Sequence, residues 1–418
     1  MRLSIASAFG QGMLLLGTIL AARHVAPADF GVLGVFATCA VIFGMLASGR
    51  LEAAIPLPTR DSRAMSIVVL AGLLIPLVAA GSWILMTTVG RGILMWADAG
   101  RLTTWSWSVP TATVIIGCRA VALGWATRRG FITIMAAGRI ANGVILGSMF
   151  AIAASQTDRL RWLIIAWITG QAAELLVIGI GVLRDSAFRA PPRRPVRLRR
   201  VAQRYRRFPA VLLWSHLMEQ VSLHLPTALV SAGFGADVAG RFNLVQRIVA
   251  RPLAIIGTSV SVVLISDAGR RLRARLDLRP VLRSAIRRLA SLAAVLFLPM
   301  AVIGPQLLPW LLGSEWTDAG RYLVALIPGV AADFIATPVF PILGLVERPW
   351  TQVFGSVLRL VAIAIAILGS AAAGLAPVVM LWLFSSAMVL VGVITIWWCR
   401  VGIETSGHRS SRRGNMVT

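Results

Sequence analysis

The sequence predicts an all-α integral membrane protein, with twelve transmembrane helices in two pseudo-symmetric six-helix bundles around a central cavity. Composition is the first reason. Of 418 residues 57% are hydrophobic and 14% charged, against roughly 25% charged in an ordinary soluble domain. The mean hydropathy is +0.81. Sixteen acidic residues cannot cover the surface of so long a soluble chain, which excludes the soluble class. The second reason is that stretches able to span about 30 Å of hydrocarbon recur along the whole chain. The third is an internal repeat, in which Trp96-Ala-Asp-Ala-Gly-Arg101 returns as Trp316-Thr-Asp-Ala-Gly-Arg321.

The first stretch, about 3–22, is apolar and ends in small residues, as a signal peptide does. Its run is too long for one, and the second half opens on a matching helix, so it reads as a span. A Pro-Ala-Asp-Phe-Gly start leads into about 31–57, and Arg60 and Arg63 separate that from about 64–89. The Trp96–Arg101 motif precedes about 103–127, and Arg128, Arg129 and Gly130 precede about 131–154. The sixth stretch, about 160–183, follows Asp158 and Arg159. The second half supplies about 208–232, 240–266, 285–312, 320–346, 352–374 and 376–399, again divided by Gly, Pro and charge. The expected organisation is an N-terminal bundle over 1–183, a basic linker over 184–207, a C-terminal bundle over 208–399 and a tail over 400–418.

Charge sets the orientation. The chain has 41 basic residues against 16 acidic, for a net +25, and every basic residue is arginine. With the N-terminus cytoplasmic, 28 arginines fall in inside segments and 7 in outside loops, a strong positive-inside bias. Both termini are therefore expected inside. This bias accounts for a pI near 11.9 without nucleic acid as a partner. The linker, with ten arginines from Arg184 to Arg207, reads as an anchor on anionic headgroups of the membrane lipids. Cys39, Cys118 and Cys399 lie in apolar runs without CxxC spacing; neither a disulfide, a metal site nor a cofactor is expected.

The repeat extends beyond one motif. The offset of 220 that aligns Trp96 with Trp316 also aligns Arg128 with Arg348 and Arg139 with Arg359. At an offset of 209, Ala-Asp-Phe-Gly31 lies against Asp-Val-Ala-Gly240. Six helices per repeat make both halves enter from the same side, related by an axis along the membrane normal, which is transporter architecture.

The residues Ala21-Ala-Arg-His-Val-Ala-Pro-Ala-Asp-Phe-Gly31-Val-Leu-Gly and Leu46-Ala-Ser-Gly-Arg-Leu-Glu52-Ala-Ala-Ile resemble the N-terminal signature of polysaccharide biosynthesis proteins. Those are the O-antigen and exopolysaccharide flippases of the multidrug/oligosaccharidyl-lipid/polysaccharide exporter superfamily. The second half resembles them in Gly240-Arg-Phe-Asn-Leu-Val-Gln-Arg-Ile-Val-Ala-Arg-Pro252-Leu and Leu312-Gly-Ser-Glu-Trp316-Thr-Asp-Ala-Gly320. The resemblance implies alternating access in the bacterial inner membrane and a polyprenyl-linked oligosaccharide as substrate. It also implies work beside a polysaccharide polymerase and other assembly proteins of lipopolysaccharide or exopolysaccharide synthesis.

Ionisable groups at membrane depth are costly and point to function. Six arginines (Arg50, Arg119, Arg139, Arg247, Arg251, Arg359) face four acids (Glu52, Glu174, Glu219, Asp333) within the spans. Pairing every acid leaves two arginines over, which suits a phosphate or pyrophosphate gripped bidentately. Arg139 and Arg359 lie about 12 Å in from the cytoplasmic starts of their helices, at 1.5 Å per residue. Arg139, Arg251 and Arg359, with Arg119 and Arg247 behind them, are the expected substrate-binding residues. Glu219 and Asp333, near mid-depth, are the expected cation-coupling groups, for a proton or sodium ion. Structural pairing with neighbouring arginines is the competing role for each acid.

Trp96, Trp105, Trp107, Trp162, Trp316, Trp397 and Trp398 mark span ends as an aromatic belt. Pro110, Pro226, Pro252, Pro299, Pro328 and Pro338 interrupt spans, and kinks of that kind serve static helices as well as bending ones. The nearest alternative function is a drug/cation antiporter of the same superfamily, which favours buried acids over arginines. A membrane enzyme of polysaccharide assembly is more distant: outer loops are short, and neither an Asp-x-Asp motif nor a nucleophile constellation is present. An enzyme is not expected.

Overall fold

The computed structural model describes residues 2–189, 198–206, 208–273, 277–340 and 349–414, and among them all regular structure is helical. Twelve helices have eighteen residues or more. They are α1 (Arg2–Ala22), α2 (Pro27–Ala47), α3 (Asp61–Thr87), α4 (Ser108–Arg129), α5 (Ile132–Ala153) and α6 (Arg159–Arg184). After the linker come α7 (Leu213–Phe234), α8 (Ala236–Arg273), α9 (Arg279–Leu312), α10 (Ala319–Ala336), α11 (Pro349–Ala372) and α12 (Pro377–Gly414). Nine of them are long and apolar enough to cross a membrane, judged by length and composition. The remaining three are α1, whose described apolar part is Phe9–Ala22, and α7 and α8, which carry His216, Glu219 and His224, and Arg241, Arg247 and Arg251.

Helix ends depart from the sequence reading for identifiable reasons. The second span was expected to run to 57, but α2 stops at Ala47. Gly49 and Arg50 take the left-handed region, at φ 58° and 61°, and a 3₁₀ turn over Leu51–Ala54 follows. The fourth span was expected from 103, yet Gly100–Trp105 is a 3₁₀ turn and α4 begins at Ser108. Conversely, α8, α9 and α12 outrun the apolar stretches, because a helix continues past the membrane surface wherever its polar residues still favour helix. The end of the tenth predicted span, 341–346, lies outside the described residues.

The chain forms two compact units, Met1–Asn243 and Leu244–Thr418. In the first, α5 packs along both α1 and α6, α4 packs on α6 and α2, and α3 packs on α4. In the second, α10 packs on α12 and α9, and α11 packs on α12. The neighbours α3–α4, α4–α6 and α5–α6 thus recur as α9–α10, α10–α12 and α11–α12, six helices later. The repeat seen in the sequence is a repeat of packing.

Two glycine contacts in the first unit show how apolar helices approach without a hydrophobic drive between them. Between α1 and α5, a Cβ added at Gly17 would sit 2.0 Å from the Gly147 carbonyl oxygen, and one at Gly143 would sit 2.1 Å from that of Gly10. Between α2 and the first turn of α8, a Cβ at Gly31 would meet the Ala236 oxygen at 1.9 Å, and one at Gly240 the Pro27 oxygen at 1.7 Å. Gly31 and Gly240 are repeat partners, and each lies on the other's helix.

The Trp96–Arg101 turn fastens this crossing. Arg101 pairs with Asp29 in the first turn of α2. Asp98 Oδ2 accepts the Ala236 N–H at 2.8 Å, where α8 begins. Asp98 holds a left-handed backbone, φ 48°, to reach it, a conformation Asp tolerates better than most residues.

At the expected cytoplasmic end, the last turn of α4 grips both neighbours. Arg128 donates to Asp61 Oδ1 from Nε and Nη2, at 3.0 and 2.7 Å. Arg129 Nε lies 2.8 Å from Asp185 Oδ2, which also accepts the indole N–H of fully buried Trp125 at 3.0 Å. Burial raises the Asp185 carboxyl, but donation from Trp125, the Ala187 N–H and Arg129 outweighs it and holds the group below the usual carboxylate range.

Candidate functional site

Three of the six intramembrane arginines carry a described acid. At the end of α2, Arg50 Nη1 lies 3.2 Å from Glu52 Oε1, while Ser48 Oγ donates to Glu52 Oε2 at 2.7 Å. In α4, Arg119 Nη1 reaches Glu174 Oε2 of α6 at 2.9 Å. In the second unit, Arg359 of α11 takes Asp333 of α10 with both prongs, Nη1 to Oδ1 at 2.8 Å and Nη2 to Oδ2 at 3.2 Å. Thr337, just past the end of α10, donates its hydroxyl to the same Oδ1 at 3.2 Å.

Arg359 and Asp333, expected to have different tasks, form one contact. Asp333 is 31% and Arg359 21% exposed at the side chain, so both remain accessible at membrane depth. The Nε atoms of Arg359 and Arg119 are buried without a hydrogen-bond partner. Each guanidinium therefore holds an acid at one end and keeps an unused donor at the other, an arrangement that costs free energy unless something else binds there.

The remaining residues fall in different places. Arg139 is exposed on α5. Its repeat partner Arg359 has Asp333 beside it, but the residue 220 positions before Asp333 is Thr113, whose hydroxyl is spent on the Val109 carbonyl at 2.9 Å. The acid of the second unit thus has no counterpart at that place in the first. Nearby on α5, the amide nitrogen of Asn142 is buried without a partner, a group that sequence reading overlooked because a single Asn in an apolar run carries no periodic signal. Arg247 is 6% exposed in α8. The side chains of Glu219 and Arg251 lie outside the described residues.

Chemically, the Arg359–Asp333 contact is a neutral pair that an anion can open. A phosphate offers the guanidinium the same two-oxygen geometry as the carboxylate. The carboxylate so released then needs another cation. Arg119–Glu174 has the same logic with a single bond between the partners.

The family model described as polysaccharide biosynthesis protein matches residues 19–321. No curated protein matches the chain. Among solved structures, an inward-facing multidrug resistance MATE family transporter of the MOP superfamily superimposes with a TM-score of 0.77 at 14% identity, over 95% of each chain. An outward-facing conformation of such a transporter gives 0.62 at 14% identity, over 97% of this chain and 95% of the other. A MOP superfamily transporter from Pyrococcus furiosus, described as having a binding pocket of reverse polarity that suggests a different function, gives 0.60 at 14% identity over 97% and 95%. These likenesses establish the fold.

Proposed function

The chain belongs to the polysaccharide biosynthesis protein family, and we propose that it is a flippase for a polyprenyl-(pyro)phosphate-linked oligosaccharide. It moves this cargo from the cytoplasmic to the outer leaflet of the bacterial inner membrane, with both termini cytoplasmic. The observation that carries the reading is the two-pronged Arg359–Asp333 contact at membrane depth. A phosphate headgroup crossing an apolar layer needs counter-charge along its way. Arg359 supplies it once the cargo displaces Asp333, and Asp333 then takes a proton or sodium ion in place of the guanidinium. Release reverses the exchange, and the neutral pair re-forms. Arg139 and Arg119 of the first unit, and Arg247 and Arg251 of α8, are the further substrate-binding residues. Spreading the charge over several residues keeps the cargo releasable.

The mechanism makes or breaks no covalent bond, so the protein is a carrier and not an enzyme. It hands its cargo to the polymerase and assembly proteins of the outer face. Deletion tests the reading. A lipid-linked oligosaccharide should accumulate on the cytoplasmic leaflet while surface polysaccharide disappears. Unchanged surface polysaccharide with no accumulated intermediate overturns it. Loss of drug resistance alone would favour a drug/cation antiporter instead.

A further inference from the structure

In the second unit, Asp333 is carried on the part of α10 that follows a proline. Pro328 lies inside the helix and has no N–H to offer the Val324 carbonyl one turn back, so α10 loses a bond there and its course bends. Only 329–336 of α10 lies beyond the bend. Two turns of helix past a proline take their direction from what they pack against. α12 supplies the closest support: the Gly329 N–H donates to Ser385 Oγ at 2.6 Å. Both residues are buried, Ser385 at 1% exposure. Glycine is needed at 329 for this approach, because an added Cβ would sit 2.9 Å from both Cα and Oγ of Ser385. Further along, Ala332 lies against Gly392 of α12, where an added Cβ would be 3.4 Å from that of Ala332. Phe334 meets the Phe297 ring of α9 edge to face at 6.3 Å.

The repeat ties these features to the acid. At the offset of 220, Arg359 has its equal in Arg139, but Asp333 aligns with Thr113. Pro328, Gly329 and Ser385 align with Ser108, Val109 and Ile165. Pro110 of the first half stands in the first turn of α4, where a helix tolerates proline. The mid-helix proline, the glycine approach and the hydroxyl therefore occur together in the half that adds an acid to the arginine.

We propose that Ser385 is a positioning residue for the Arg359–Asp333 pair: by holding the Gly329 N–H it fixes the direction in which α10 leaves Pro328, and so aims Asp333 at Arg359. Asp333 stands one turn beyond Gly329, on the same side of the helix by i,i+4 spacing. Its two parallel bonds to Arg359 tolerate little drift, since a site of this kind has to be held to about 0.5 Å. Ser385 touches neither the cargo nor the arginine and acts through the backbone of α10. The inference rests on the flippase reading only for what the pair does in transport.

Infrared difference spectroscopy on the full-length protein in lipid nanodiscs tests this without any cargo. Subtracting the Asp333→Asn spectrum from that of the wild type isolates the carboxylate stretch of the arginine-paired Asp333. The same subtraction in a Ser385→Ala background should show that band displaced. Ser386→Ala, its exposed neighbour, should leave the band in place. Pro328→Ala restores the helical bond to Val324 and should displace the band with Ser385 intact. Gradient-driven export by the Ser385→Ala protein in vesicles should fall about tenfold, the scale of one buried hydrogen bond. An unmoved band in Ser385→Ala, even with a lower melting temperature, means that the bond only packs α10 on α12, and it overturns the proposal. So does an unmoved band in a folded Pro328→Ala protein, or an equal displacement in Ser386→Ala. The flippase reading fails separately: export at the wild-type rate despite a displaced band ends its exchange step and leaves Ser385 as the residue that aims the pair.

Discussion

Arg359 and Asp333 face each other across α11 and α10 with two parallel bonds, 2.8 and 3.2 Å, and the Arg359 Nε behind them has no partner. Neither residue can act alone. Removing the arginine leaves a lone carboxylate at membrane depth, and removing the acid leaves a lone guanidinium. If the pair exchanges its acid for the cargo phosphate, the two substitutions should fail differently.

Arg359→Ala should reduce oligosaccharide export about a hundredfold, the scale of losing a charge-assisted contact worth about 3 kcal/mol. Arg359→Lys should recover only part, because the fork that matches two oxygens is lost. Asp333→Asn should retain cargo binding but uncouple it from the ion gradient. Export measured in vesicles with and without a proton or sodium gradient separates the two outcomes. Normal, gradient-dependent export in the Asp333→Asn protein would remove the exchange mechanism.

At the repeat offset of 220, Thr113 aligns with Asp333. Placing an acid there, Thr113→Asp, puts a carboxylate at a fully buried site of α4 and should slow export at least tenfold, with Thr113→Asn close to wild type. Arg139→Ala should abolish export with abundance in the membrane unchanged. Export rates normalised to immunoblotted protein decide it. Equal rates for the Asp and Asn variants would show that a carboxylate at this place does not disturb transport.

Hydropathy and the arginine count made the twelve helices legible, because spanning about 30 Å imposes a length and a composition that few sequences meet by chance. The repeat was legible too, since Gly31 and Gly240 must be glycine where two backbones touch. Less legible was which charges meet. Asp29 and Arg101 lie 72 residues apart, and Trp125 and Asp185 lie 60 apart. Such pairs are settled by helix rotation, which a periodic pattern leaves open in a helix apolar on most of its faces. For the same reason Arg359 and Asp333 could be ranked by depth but not recognised as one pair.

The crossing of α2 and α8 gives a stability prediction. Gly240→Ala places a methyl 1.7 Å from the Pro27 oxygen, on backbone that cannot step aside cheaply. Overpacking of this kind costs about 1–3 kcal/mol, and the contact here is closer than most. The variant should melt several degrees below wild type in detergent and accumulate poorly. Gly12→Ala, in open space on α1, is the matched control and should melt at or slightly above wild type, since Ala favours helix by about 1 kcal/mol over Gly. Equal melting of the two variants would contradict the crossing.

The last prediction concerns acid. Asp185 closes the expected cytoplasmic end of the first unit through Trp125, Ala187 and Arg129, and these donors hold its carboxyl below the usual range. The sign follows from linkage: the folded state binds this proton less readily than the unfolded chain, whose carboxyl titrates near 3.9, so ionised Asp185 favours folding. Its contribution is complete above about pH 4 and disappears as pH falls through the lower folded-state value. Asp185→Asn should therefore melt below wild type by the same margin from pH 7 to pH 5. The two curves should converge only below about pH 4. Melting followed by exposure of the partly buried Cys39 and Cys118 thiols, which lie in the same unit as Asp185, reads the unfolding directly. A margin that already shrinks between pH 7 and pH 5 would mean that Asp185 titrates above the ordinary carboxylate range, and that the three donors do not outweigh its burial.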